Sequence, residues 1–166
     1  VVGLNGRCFL VGVCGSDSAG DALIALIEKN NIQDDLIRSR ARQTTTKTRI
    51  IGQGQQLLRL DEEETGRLSD ETCQRLLEKF EKRISESNAV IISDYGKGFF
   101  EGDLAGRIID RCKQKNIPVF VDPKGVYWDR YRGAMCITPN MSEFKRVAPN
   151  LKQDEESFSA EAQQAM

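Results

Sequence analysis

Hydrophobic residues follow two rhythms along this chain. Short unbroken runs at 90–92 (VII), 118–121 (PVFV) and 135–138 (MCIT) read as strands, as does 7–13 (RCFLVGV) near the start. Val90, Ile91 and Ile92 lack alternation, the habit of a strand covered on both faces in a parallel sheet. Longer segments carry the helical rhythm. In 69–85 Cys73, Leu76, Leu77, Phe80 and Ile84 make one apolar stripe behind Ser69 as a cap, with Asp70 and Glu71 in the first turn. A helix over 102–115 buries Leu104, Ile108, Ile109 and Cys112, and one after GSDSAG, capped by Ser16 or Asp17, buries Leu23, Ile24, Leu26 and Ile27 and ends at Asn30 and Asn31. Gly3 stands where a left-handed residue commonly ends a helix.

Residues 46–51 and 55–61 are β-prone runs joined by a turn containing Gly52 and Gly54, which predicts a hairpin. Its Lys47, Thr48, Arg49 and Arg59 do not suit burial on both faces. A projecting hairpin of this kind can serve as a lid; charged residues on exposed strands are the plainer explanation. Strand, helix, strand, strand in the second half predicts parallel neighbours and an α/β fold. Residues 149–166 are polar, with either a helix near 155–165 or no fixed structure.

Composition narrows the chemistry. The 166 residues carry 24 basic and 25 acidic side chains, which marks neither a nucleic-acid binder nor a membrane protein. No apolar run approaches a membrane span and no signal-like start is evident, so a cytoplasmic location is expected. Five scattered cysteines without a CxxC pair read as reduced, mostly buried hydrophobes. The absence of histidine removes a His base, a Ser-His-Asp triad and His-ligated metals. Acid–base work falls to Asp, Glu, Lys, Tyr or Cys.

Three polar clusters, SDYGKG, DPKG and TPNMSE, each follow an apolar strand. Asp94, Lys97, Asp122, Lys124, Asn140 and Glu143 should therefore gather on the carboxyl edge of one parallel sheet, where α/β proteins bind ligands. Lysines with carboxylates there suit a phosphate-bearing ligand and magnesium. Each cluster also has a structural explanation. Asn140 and Glu143 have capping-box spacing, which spacing alone favours; Lys124 can be a turn lysine, and Asp94 can cap its own turn. A GxxxxGK[ST] loop is absent, GQGQQL lacks the last glycine of GxGxxG, and GVCGSDSAG has the wrong glycine spacing, all of which count against a Rossmann oxidoreductase.

In order, LVGVCGSDSAG, TKTRIIGQGQQLLRLDEE, SDYGKG, DPKG and TPNMSEF resemble the central part of a ribokinase-like (PfkB family) sugar kinase over about residues 1–148. TKTRII, QQLLRLD and SDYGKG are most similar to the branch acting on heptose 7-phosphate in ADP-heptose and lipopolysaccharide precursor synthesis. The resemblance implies an incomplete ribokinase-like domain: a mostly parallel sheet flanked by helices, with residues 46–61 as a hairpin lid over the sugar. It implies ATP and magnesium as cofactors and a phosphosugar as substrate. Lys47 and Arg49 would lie near the substrate phosphate, Asp94 and Lys97 would line the sugar-phosphate pocket, and Lys124 would face the nucleotide. Asn140 and Glu143 fall on the family's NxxE motif, which organises magnesium and its waters around ATP. Asp17 matches a GxDxxG turn of chiefly structural use. Lids in the family commonly make dimer contacts, so a homodimer through the hairpin is expected.

Family members also carry a glycine-pair motif before this region and a GAGD motif after it, which supplies the catalytic aspartate and an anion hole. Neither occurs in these residues, so no catalytic residue is assigned and the chain alone is expected to be inactive. The competing expectation is a non-catalytic sugar- or nucleotide-binding or dimerisation module, or another PfkB sugar kinase. The exact sugar is not readable from the residues.

Overall fold

The computed structural model describes residues 1–148, which form two units. The tail expected to be polar, with a helix near 155–165, lies outside the described residues. One unit comprises Val1–Thr65 and Ser69–Phe80; the other comprises Gly66–Leu68 and the chain from Glu81 onward.

In the first unit, strand β1 (Phe9–Gly15) leads into helix α1 (Ser18–Lys29) and then strand β2 (Gln33–Ser39), which pairs with β1 in parallel. This is a strand–helix–strand unit. Asp17 is the cap: its carboxylate accepts Gly20 N at 2.7 Å. The sequence pattern did not reveal β2, because Asp34 and Asp35 interrupt its apolar face. Asp34 turns its carboxylate back onto Leu36 N at 2.7 Å, while Asp35 and Ile37 face inward and are buried. Gly3 is not the left-handed residue either. It sits inside a 3-10 turn, Val2–Leu4, and Asn5 takes the positive φ of 60°.

Strands β3 (Thr46–Gly52) and β4 (Gln55–Glu62) form the expected antiparallel hairpin as a sheet of their own. Gln53 and Gly54 both have positive φ, the signature of the two-residue turn whose twist matches paired strands. Almost every hairpin side chain is exposed, including Ile50, Ile51, Leu57, Leu58 and Leu60.

Helix α2 (Asp70–Ile84) starts where Ser69 Oγ accepts Thr72 N at 3.2 Å, and its whole predicted stripe is buried. In the second unit, β5 (Val90–Ser93), helix α3 (Leu104–Gln114), β6 (Val119–Asp122) and β7 (Cys136–Ile137) give a three-stranded sheet in the order β5-β6-β7, parallel throughout. Backbone bonds from Met135 N to Val119 O and Thr138 N to Val121 O flank the short β7. Ile92, Val119 and Val121 are buried, as are Leu104, Ile109 and Cys112 of α3. Burial pushes the Cys112 thiol up to about 11. The expectation of a strand covered on both faces is corrected here: Ile91 is 64% exposed and Phe120 is also open, so among the described residues β5 and β6 alternate. Helix α4 (Met141–Val147) follows β7.

Candidate functional site

Because β5, β6 and β7 are parallel, SDYGKG, DPKG and TPNMSE leave the sheet from the same edge, as the sequence predicts. Asp94 N bonds Asp122 O at 3.0 Å, which holds the first two strand ends side by side.

At the third strand end the capping box and the proposed ligand residues are one structure. Asn140 Oδ1 accepts Glu143 N at 3.0 Å, and Glu143 Oε2 accepts Asn140 N at 3.1 Å. Glu143 is only 4% exposed, and its other oxygen takes Lys124 Nζ at 2.6 Å. Lys124 thus brings the DPKG loop onto α4. The lysine beside it holds the Glu143 carboxyl below the usual carboxylate range, and Glu143 in turn raises Lys124. Half the Lys124 side chain remains in solvent.

The SDYGKG loop is built around an acid that points inward. Asp94 is 4% exposed; Oδ1 accepts Gly96 N at 2.7 Å and Oδ2 accepts the Tyr131 hydroxyl at 2.5 Å. Arg130 Nη1 stands 3.9 Å from Oδ2 and donates to Phe100 O at 3.1 Å, while its Nε donates to Tyr127 O at 3.0 Å. Burial, then the bond to Asp94, pushes the Tyr131 hydroxyl far above its ordinary value. Arg130 and Tyr131 come from a 3-10 turn, Trp128–Tyr131, for which the sequence reading made no provision. Its clue was aromatic density, since YWDRY puts three rings in five residues of a supposed loop. Trp128 Nε1 donates to Gly125 O at 3.1 Å, and its ring lies 6.2 Å from that of Phe144.

Two glycines let this loop close. Gly98 (φ 84°) runs so near Gly66 that a Cβ would meet its backbone at 2.2 Å, and Gly66 N donates to Lys97 O at 3.2 Å. Gly96 (φ 65°) leaves room for the stem of Lys124, whose Cγ would stand 2.9 Å from an added Cβ. Tyr95 is exposed and Lys97 partly so.

The first unit holds the other assigned residues. On the hairpin Lys47 pairs with Asp61 at 3.1 Å and Glu63 at 3.2 Å, and Arg59 grips Asp61 through two bonds of 2.7 Å. Arg59 chiefly, and Lys47 with it, lower the Asp61 carboxyl to about 2. Arg49 is the direct cross-strand partner of Arg59, an arrangement of like charges that disfavours the bare hairpin. Arg59 had not been singled out as a site residue. Asp17 serves structure: it accepts Thr44 N at 2.9 Å and the Thr44 hydroxyl at 2.7 Å, and Thr44 Oγ1 accepts Gly15 N.

The bifunctional protein HldE of Haemophilus influenzae strain PittEE is 40% identical over 156 residues, covering 94% of this chain and 32% of its own length. That of Aliivibrio fischeri strain MJ11 is 37% identical over 164 residues, or 33% of its length. The chain therefore spans about a third of the curated relatives it matches. Among solved structures, the tetrameric inhibited form of Escherichia coli phosphofructokinase-2 superposes with a TM-score of 0.68 at 17% identity, covering 97% of this chain and 53% of that one. Giardia lamblia ribokinase gives 0.68 at 15% identity, covering 92% and 47%. These likenesses establish the ribokinase-like fold. The profile of the pfkB family carbohydrate kinases matches residues 2–166, and the chain belongs to that family.

Proposed function

We propose that this chain is part of an ATP-dependent phosphosugar kinase that transfers the γ-phosphoryl group of ATP to the anomeric hydroxyl of heptose 7-phosphate. The observation that carries the reading is the shared edge of β5, β6 and β7, where Lys97, Lys124, Asn140 and Glu143 leave one sheet. Catalysis of phosphoryl transfer is largely positioning and charge neutralisation, so a lysine- and carboxylate-lined edge fits its needs. Lys97 binds the phosphosugar, Asp94 shapes the same pocket, Lys124 and Asn140 serve the nucleotide phosphates, and Lys47 and Arg49 engage the substrate phosphate.

Magnesium commonly keeps several waters and takes one or two carboxylates along with substrate phosphates. Among the described residues no three His, Cys, Asp or Glu side chains gather to cage an ion. Glu143 and Asn140 fit instead an ion held through water and phosphate oxygens. When bound it neutralises phosphate charge. Lys124 pairs with Glu143 at 2.6 Å while half its side chain stays in solvent, which suits a lysine that meets a phosphate beside the same carboxylate. The exposed Ile50, Ile51, Leu57, Leu58 and Leu60 support a homodimer through the hairpin.

The test is phosphoryl transfer with ATP, magnesium and heptose 7-phosphate. The 166-residue chain should form no bisphosphate above background, whereas a chain extended at both ends to the length of its relatives should turn over. Lys97→Ala in the extended chain should lower kcat/KM by about tenfold or more, the scale of one charge-assisted hydrogen bond. Turnover by the short chain, or indifference of the extended one to Lys97→Ala, would overturn these roles.

A further inference from the structure

We infer that Tyr131 and Arg130 are positioning residues for the SDYGKG loop, acting through the buried Asp94 carboxylate to fix the backbone that presents Lys97. This rests on the kinase reading above for its functional consequence, though not for its geometry.

The carboxylate sits at a junction. One oxygen fixes Gly96 N, the middle of the loop, and the other is held by Tyr131 from a segment 37 residues further on. A carboxylate buried this deeply requires donors on both oxygens, and it has them. Arg130 closes the loop's far end by donating to Phe100 O while its charge lies 3.9 Å from Asp94. Lys97 lies between these two fixed points, and its own carbonyl is held by Gly66 N. The glycines at 96 and 98 make the loop pliable in isolation. Its single conformation therefore needs an outside hold, and the 3-10 turn Trp128–Tyr131 provides one. Asp94 touches the loop rather than solvent, so its contribution to binding passes through Gly96 and Lys97.

Two measurements decide it. Amide hydrogen exchange on the 166-residue chain and its Tyr131→Phe variant reads the clamp without reference to activity. Residues 95–98 should exchange about tenfold faster or more in the variant, while α3 exchanges as before. Arg130→Met, at a partly exposed position, should give the same local change and serves if Tyr131→Phe does not fold. In the extended chain either variant should raise KM for the phosphosugar about tenfold while KM for ATP and kcat stay within about twofold, the pattern of lost substrate binding. Unchanged exchange at 95–98, or an equal rise in KM for both substrates, would overturn the inference. An extended parent chain without phosphosugar turnover defeats the kinase reading instead, and the exchange experiment still decides the clamp.

Discussion

Asp61 on the hairpin and Asp94 at the end of β5 both hold cationic and hydrogen-bonding partners, yet they stand in opposite situations: Asp61 accepts three bonds and Asp94 two. Asp61 is exposed and shared by two long cations, Arg59 and Lys47, both of which water also solvates. Asp94 is buried, and its partners are a phenol, a backbone amide and a more distant guanidinium. An exposed ion pair gains little because water competes for both ends. A buried carboxylate has no such alternative, so each lost donor exposes a large desolvation cost. The chain thus places solvated charge on its hairpin and a buried carboxylate at the end of β5.

Asp94→Ala should therefore be the most damaging substitution, destabilising the second unit by about 3 kcal/mol, because it strands the Tyr131 hydroxyl and Gly96 amide. Trp128, the sole tryptophan, lies buried in that unit, so its fluorescence in a urea titration reports the effect locally. A midpoint within error of the parent would remove the distinction between the two carboxylates.

Glycine substitutions sharpen the same contrast, since Gly98 and Gly54 share a left-handed backbone but not the space around it. Gly98→Ala adds a Cβ that would lie 2.2 Å from the Gly66 backbone and should cost about 2 kcal/mol or more. Gly54→Ala, in the open hairpin turn, meets nothing within 4 Å and should cost only the conformational strain of about 1 kcal/mol. Comparable losses, by the same titration with circular dichroism added for the hairpin, would show that crowding at Gly66 is relieved elsewhere.

What the sequence disclosed follows the same line between local and distant causes. The α2 stripe, the hairpin and the shared edge of three strands were legible because each follows from periodicity or from turn residues beside it. Strand β2 was hidden by Asp34 and Asp35, whose local bonding and burial cannot be seen in a hydropathy pattern. For Asp94 the cap on its own turn was legible and is seen in the bond from Gly96 N, but nothing in SDYGKG announces a tyrosine 37 positions away. The Asn140 and Glu143 pair was legible as a capping box, but its link to Lys124 spans 19 residues and required the fold.

Acid provides a smaller effect. Glu143 has its pKa lowered by Lys124, so the stability it contributes is complete above the ordinary glutamate value near 4.5 and is lost as pH falls through the lower folded value. The parent should lose stability in that range, read by Trp128 fluorescence, more steeply than Glu143→Gln, which has no such proton to take up. Equal slopes would mean that other carboxylates dominate this unit's acid response.

The smallest effect belongs to the hairpin, and it is the most specific to the contrast. Asp61→Asn weakens Lys47 and Arg59 together, yet all three groups are solvated, so stability should change little, and less still in high salt. Its consequence lies in charge: Arg49 and Arg59 face each other across the strands, and without Asp61 their repulsion is less compensated. Added inorganic phosphate or sulfate should then stabilise the variant more than the parent, because an anion takes the position Asp61 held against Arg59. Such a gain, read as an upward shift of the circular-dichroism melting midpoint with sulfate but not with chloride at equal ionic strength, would identify the hairpin cations as an anion-responsive surface. If Asp61→Asn instead unfolds the unit as severely as Asp94→Ala, the hairpin charge is structural after all, and the cations assigned to the substrate phosphate are not free to reach it.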